Sequence, residues 1–160
     1  MKTTFFILLF ISLVSYGQLP INKERKIDSL KEIIKFAKHD SVIVNACFDW
    51  DDLIYVTDPE LDFKLNLRID SFCDINLVNV LGEVEKNFFL HAKGSALNNI
   101  GCIYKDQDNY TKAIDYHSKS LRVQEEIGNN LGISASLNNL GIIYRIQYGV
   151  SSVSDWNSLM

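Results

Sequence analysis

The segment Leu97-Asn98-Asn99-Ile100-Gly101-Cys102-Ile103-Tyr104 decides the fold of this 160-residue chain, because it occurs twice. Residues 137–144 read Leu-Asn-Asn-Leu-Gly-Ile-Ile-Tyr, so six of the eight positions are identical at an offset of 40 residues. Repeats of a fixed period in this range are typical of proteins whose structural units stack on one another and share a core. The sequence therefore predicts a repeat protein.

The spacing of apolar residues predicts helices along the rest of the chain. Apolar residues recur every three or four positions, and no useful stretch alternates with the period of two that marks a strand. Asp58 and Pro59 form a helix-start signal, and Gly128 is placed to end a helix in a left-handed conformation. Residues 75–82 are predicted to be a connector. The fold class is all-α, with helices predicted over residues 21–38, 41–56, 59–74, 83–105, 110–127 and 131–147.

The same spacing predicts which side chains face inward. On the third helix these are Leu61, Leu65, Ile69 and Phe72. On the fifth helix they are Ala113, Ile114, His117 and Leu121. His117 is interpreted as a packed core histidine rather than a ligand for a metal or substrate.

The repeated motif resembles the tetratricopeptide repeat (TPR). The residues that carry the resemblance are Leu97, Ile100, Gly101 and Tyr104, followed by the small Ala113 and a ring at His117. The period of 40 is longer than the usual period of about 34 residues and resembles the long-repeat variety found in bacterial regulatory proteins. The resemblance implies an antiparallel helix-hairpin solenoid, here short and incomplete.

The chain is predicted to divide into four parts. Residues 1–17 form a signal peptide, 18–82 a divergent TPR-like helical region, 83–147 the repeats, and 148–160 a tail without repeat character. Lys2, the apolar run 5–14 and the small residues before Gln18 predict cleavage after Gly17. The alternative is an uncleaved anchor, but the apolar run is shorter than the roughly 20 residues that span a bilayer. We expect an exported, periplasmic protein of a Gram-negative bacterium with no stable membrane span.

Composition and motifs argue against several classes of function. The net charge is −4 and no cluster of Lys and Arg is present, which disfavours nucleic acid as a partner. The three cysteines are an odd, widely spaced set and are expected to be buried as small apolar residues. The three histidines lack metal-ligand spacing, and the cluster Asp49, Asp51 and Asp52 is interpreted as a solvated helix face. No catalytic, cofactor or metal site is predicted, and the chain is not expected to be an enzyme.

The TPR resemblance implies a partner-binding groove on the concave side of the solenoid. Projected onto this chain, its residues are Ser95, Asn98, Asn99, Cys102, Asn138, Asn139, Ile142 and Arg145. As a groove residue, Asn98 is expected to point outward. Asparagine suits such a position, because its amide offers both a donor and an acceptor to the backbone of an extended peptide. The alternative is that one asparagine of each pair only bonds within its helix pair.

Two functions are compatible with these features. The first is an exported protein–protein interaction module that binds a peptide or protein, as a fragment of a sensor resembling the periplasmic half of TPR-containing histidine kinases or nucleotide cyclases. The second is a periplasmic scaffold or envelope-assembly helper that acts in trans. Because the second repeat lacks its second helix, we expect the chain to be a truncated or frameshifted piece of a longer protein. The alternative is a short protein with an unusual C-terminal tail. The last helix, with Leu137, Leu140, Ile143 and Tyr144 left without a partner, is expected to fray or to self-associate.

Overall fold

A computed structural model describes residues 22–80 and 82–149, and this part of the chain contains helices and no strand. The predicted signal peptide, and the predicted tail from residue 150 onward, lie outside these ranges. The helices are α1 (22–36), α2 (Asp40–Ile54), α3 (Pro59–Asn79), α4 (Glu83–Asp106), α5 (Tyr110–Glu126) and α6 (Asn130–Tyr148). The all-α prediction is confirmed.

The chain divides into two compact units, with the boundary in the sequence between Leu53 and Ile54. In the first unit, the ammonium of Lys31 on α1 lies 5.6 Å from the centre of the Trp50 ring on α2. Asp51 is only 4% exposed, so the prediction of a solvated face for the aspartate cluster is wrong for this residue. The reason is its spacing, because Asp51 follows the buried Cys47 by four residues and precedes the buried Ile54 by three.

The second unit consists of α3 to α6, in which each helix packs against the next and α4 also contacts α6. The turns that join α4 to α5 and α5 to α6 are only three residues long, so these neighbours run antiparallel. This packing of consecutive helices is that of a TPR-like helical repeat.

Side-chain caps and a glycine fix the ends of these helices as the sequence predicts. The Asp58 side chain accepts a hydrogen bond of 3.0 Å from the Leu61 N–H at the start of α3, where Pro59 is the first helical residue. Gly128, after α5, has φ of +65°, which a residue without Cβ adopts at little cost. The extent of α3 differs from the prediction, because the helix continues to Asn79 through most of the expected connector. No Gly or Pro interrupts residues 60–79, so nothing ends the helix earlier.

Helices α3 and α5 bury side chains in the same register. In each helix, four buried residues follow one another at intervals of four, three and four positions. The residue that caps each helix with its side chain lies four positions before the first of these four. In α3 these residues are Asp62, Asn66, Ile69 and Cys73; in α5 they are Ala113, His117, Ser120 and Gln124. Helix α3 therefore has the packing register of the second helix of a hairpin, although it lacks the repeat motif.

The two copies of the repeat motif have different surroundings at their central glycine. A Cβ built on Gly101 would lie 2.7 Å from the His117 ring, which is closer than real Cβ contacts. A Cβ built on Gly141 would meet nothing within 4 Å. The first glycine is thus required by the approach of α5 to α4, whereas the second faces open space within this chain.

These surroundings predict opposite effects for the same substitution. Gly101→Ala should lower the free energy of unfolding by about 1–3 kcal/mol, because the His117 ring must move. Gly141→Ala is the matched control and should raise stability by up to about 1 kcal/mol, because alanine is the better helix former. Urea unfolding at submicromolar protein concentration measures both. Equal destabilisation by the two substitutions would contradict the packing described for α4 and α6.

Candidate partner-binding groove

The eight predicted groove residues lie on two helices that contact each other, four on α4 and four on α6. Of the four on α4, all are half-buried; of the four on α6, Asn138 and Arg145 are exposed and the other two are half-buried. The structure therefore gathers these residues along the α4–α6 pair, but it gives them different hydrogen-bonding partners.

Asn98 does not point outward as predicted. Its Oδ1 lies 2.9 Å from Nδ1 of His117 on α5 and accepts a hydrogen bond of 3.0 Å from Nδ2 of Asn139 on α6. The cause is its place one turn before Gly101, where the His117 ring of α5 packs directly against α4, so that the amide reaches the buried ring. A single side chain thereby joins three helices.

Asn99 joins α4 to the preceding helix. Its Nδ2 donates a hydrogen bond of 3.1 Å to Oδ1 of Asn66, which is fully buried on α3. Nδ2 of Asn66 in turn donates to Oδ1 of Asp62 at 2.7 Å. Both asparagines of the first motif thus bond within the fold, whereas in the second motif Asn139 does so and Asn138 is exposed.

The remaining α4 residues of the set also have internal contacts. The Ser95 hydroxyl donates to the His91 carbonyl at 3.1 Å. Sγ of Cys102 lies 3.6 Å from Nδ2 of Asn139, and burial raises the pKa of the Cys102 thiol. Cys102 is therefore a thiol at neutral pH and is not an activated nucleophile.

An open row of side chains runs along α6, and we call it the α6 stripe. It consists of Leu131, Asn138, Ile142, Arg145 and Ile146, which the helical spacing of 100° per residue places on one side. Leu131 is 84% exposed and Ile146 is 51% exposed, so large apolar surface flanks the polar groups. Prediction from sequence missed these two residues, although their helical positions relative to Asn138 and Ile142 could have identified them.

Sequence reasoning also missed two buried polar residues on α5. The Ser120 hydroxyl donates to the Gly94 carbonyl at 2.7 Å and lies 3.0 Å from the Ser136 hydroxyl on α6. Oε1 of Gln124 accepts from Nδ2 of Asn129 at 2.8 Å. Their positions four residues apart, continuing from His117 by three, were the available signal, but polar side chains are not counted as core in an apolar pattern.

His117 is fully buried, as predicted, and burial lowers its pKa from 6.5 to about 4, with the charge of Lys105 adding to the effect. The ring is therefore neutral at pH 7. Because the facing atom of Asn98 is an oxygen that already accepts from Asn139, Nδ1 of His117 carries the proton and donates to it. Nε2 has no hydrogen-bond partner. Protonation would place a charge at a buried site with no counter-ion.

A cleft of about 390 Å³ lies apart from the groove, on α3, α4 and α5. Its lining includes Lys93, whose ammonium lies 2.5 Å from an oxygen of Asp70 and 2.7 Å from one of Asp74. The charges are thus paired between α3 and α4, and none of the predicted groove residues lines this cleft. Within residues 22–80 and 82–149, no three His, Cys, Asp or Glu side chains are grouped to hold a metal ion. None of the helices in that part of the chain is long and apolar enough to cross a membrane.

Comparison with known proteins finds a family match for one part of the chain. Residues 93–149, which comprise most of α4 and all of α5 and α6, match the family model described as tetratricopeptide repeat. No curated protein and no solved structure matches the chain. The match and the helical packing support a tetratricopeptide repeat protein, and such repeats are protein–protein interaction modules that are typically not catalytic.

The buried His117 predicts a loss of stability in acid. Its lowered pKa means that the unfolded chain binds a proton between pH 6.5 and about 4 and the folded chain does not, so stability falls as the pH falls through this window. The full effect is about 3 kcal/mol. His117→Phe should remove this component, which a comparison of urea unfolding at pH 7 and pH 4.5 measures. A loss of stability between pH 7 and pH 4.5 that is as large in His117→Phe as in the native chain would contradict this assignment.

Proposed function

We propose that this chain is an exported protein–protein interaction module of the tetratricopeptide type, which binds a peptide or protein along the α6 stripe. The observation that carries the proposal is the stripe itself, in which exposed Asn138 and Arg145 are flanked by the exposed side chains of Leu131 and Ile146. The family match of residues 93–149 supports the general role.

The chemistry of the stripe indicates the kind of partner. The Asn138 amide can donate to and accept from the backbone of an extended segment. Arg145 carries the one charge of α6 and suits a carboxylate, with which a guanidinium forms paired hydrogen bonds. The adjoining isoleucines offer apolar contact. The best partner is therefore an extended peptide in which an acidic residue neighbours an apolar one.

The internal asparagines have a different role in this proposal. Asn98, Asn99 and Asn139 hold α3, α4, α5 and α6 together, so they position the groove rather than contact the partner. Ser95 and Cys102 on α4 lie at the edge of the groove and are half-buried. Binding through one open helix implies modest affinity.

The cellular context of the proposal comes from the sequence. The apolar start of the chain supports export to the periplasm, and the 40-residue period supports a sensor or regulatory protein of which this chain is a fragment.

Selection of random extended peptides on the purified chain tests the groove. Peptides with an acidic residue next to an apolar one should be enriched, and Asn138→Ala combined with Arg145→Ala should weaken their binding about tenfold or more. Thr111→Ala combined with Arg122→Ala is the matched control, since both are exposed on α5. Enriched peptides that bind the double α6 variant as tightly as the native chain would refute the proposed site.

Fractionation of cells that express the full chain tests export. The protein should occur in the periplasmic fraction with Gln18 as its first residue, because cleavage is predicted after Gly17. Intact-mass measurement identifies this end. Recovery of the chain in the membrane fraction with residues 1–17 retained would support the uncleaved anchor instead.

A further inference from the structure

In helix α4, one face is covered by α5. The equivalent face of α6 is open in the described part of the chain. In α4, Leu97 is 3% exposed, Ile100 is fully buried and Gly101 lies against the His117 ring. The matching residues of α6, forty positions later, are open: Leu137 is 51% exposed, and Gly141 has nothing within 4 Å of its Cβ position. We call this the open face of α6. It consists of Leu137, Leu140, Gly141, Tyr144 and Tyr148.

The open face is distinct from the side of α6 that packs within the chain. Ser136 and Ile143 are fully buried, so the expectation that Ile143 lacks a partner is wrong. Ile143 corresponds to Ile103 of α4, which is also buried. Ile103 lies on a different side of α4 from Gly101, against which α5 packs. The expected exposure holds for Leu137, while Leu140 and Tyr144 are half-buried. Helix α6 thus has one side that packs within the chain and one side that is open.

The charge pattern of α6 restricts what can cover this face. Helix α6 has one charged residue in 19, Arg145, whereas α5 has six Lys, Arg, Asp and Glu residues in 17. A helix this poor in charge is typical of an interior position. Among the described helices, α6 is the one with a single charged residue. If a charged surface packed against the open face of α6, its charges would be buried without partners.

We propose that the open face pairs with the open face of a second copy of this chain, α6 against α6, and that this pairing completes the binding groove. The same uncharged surface on both partners avoids the repulsion that two chains of net charge −4 would otherwise experience. The open space at Gly141 lets the two backbones approach closely at the centre of the contact. Identical surfaces that pair with each other do so about a two-fold axis. We place this axis perpendicular to α6, so that the two helices run antiparallel and the two Arg145 side chains lie at opposite ends of the contact.

This geometry brings the binding residues of the two copies together. Along the helix axis, Asn138 lies about 4.5 Å before Gly141 and Arg145 about 6 Å after it. In an antiparallel pair centred on Gly141, Asn138 of one copy therefore lies at nearly the same height as Arg145 of the second copy. The α6 stripe borders the open face, since Arg145 and Gly141 are four residues apart. The two stripes then form one longer groove. This part of the inference rests on the proposed function.

A dilution series of the mature chain by sedimentation equilibrium tests the pairing. We expect a monomer–dimer equilibrium with a midpoint in the micromolar range, because the contact of one helix pair is smaller than a standard interface. Leu137→Lys should shift the midpoint at least tenfold toward monomer. Ala135→Lys is the matched control, since it adds the same charge at an exposed position of α6 on another side, and it should leave the midpoint unchanged. A dimer that Leu137→Lys does not weaken would refute the pairing.

Cross-linking locates the axis independently of stability. Gly141→Cys should form an intermolecular disulfide on mild oxidation, because the two-fold axis brings the two positions together. Ala135→Cys should not form one. A chain that stays monomeric and does not cross-link at Gly141 would overturn the proposal. If such a monomer protects the Leu137 region from amide exchange and loses this protection when residues 150–160 are removed, those residues are the occupant instead.

Peptide binding by the Leu137→Lys variant separates this inference from the proposed function. If the native chain dimerises and the monomeric variant binds selected peptides at least tenfold more weakly, the second copy completes the groove. If the variant binds as well as the native chain, the completed groove is wrong and the proposed function stands. If the native chain dimerises but selection yields no peptide, the proposed function fails while the pairing stands.

Discussion

The contact between the His117 ring and Gly101 is the constraint on which the rest of the second unit depends. A helix pair this close leaves no space for a Cβ at residue 101, and it places the ring within reach of Asn98. Asn98 in turn accepts from Asn139, so the position of α6 follows from the approach of α5 to α4. Gln124 packs in the same manner against Gly94 and Gly132. Glycines on α4 and α6 thus receive the larger polar side chains of α5.

This arrangement explains why the inner face of α5 is polar without being unstable. Ser120 forms hydrogen bonds with the Gly94 carbonyl and with Ser136, and Gln124 forms one with Asn129. These bonds replace the hydrogen bonds to water that the groups lose on burial. Nε2 of His117 is the exception and makes the interface sensitive to protonation. The hydrogen bonds also specify one register of α5 between its neighbours, because a shift by one residue would leave several donors and acceptors unpaired.

The asparagine pairs show how a repeat sequence divides its residues between framework and function. In the first motif both asparagines bond to neighbouring helices. In the second motif the two asparagines differ, because Asn139 forms a hydrogen bond with α4 whereas Asn138 is exposed. Apolar side chains such as Leu131 remain open on α6, the last of the described helices. The proposed binding of a partner and the proposed pairing with another copy both involve this helix.

The sequence by itself determined the helical class and those helix ends that carry a local signal, such as the start of α3 at Asp58 and the turn at Gly128. It also determined that His117 is buried. It did not determine that Asn98 turns inward, that Ser120 and Gln124 belong to the core, or that Ile143 is buried while its neighbour Leu140 is only half-buried. Only the tertiary structure decided these points, because the burial of a side chain depends on which helix lies across from it. The two motifs share six of eight residues and carry similar local information. Leu97 and Leu137 differ because α5 covers the first and no helix of the described chain covers the second.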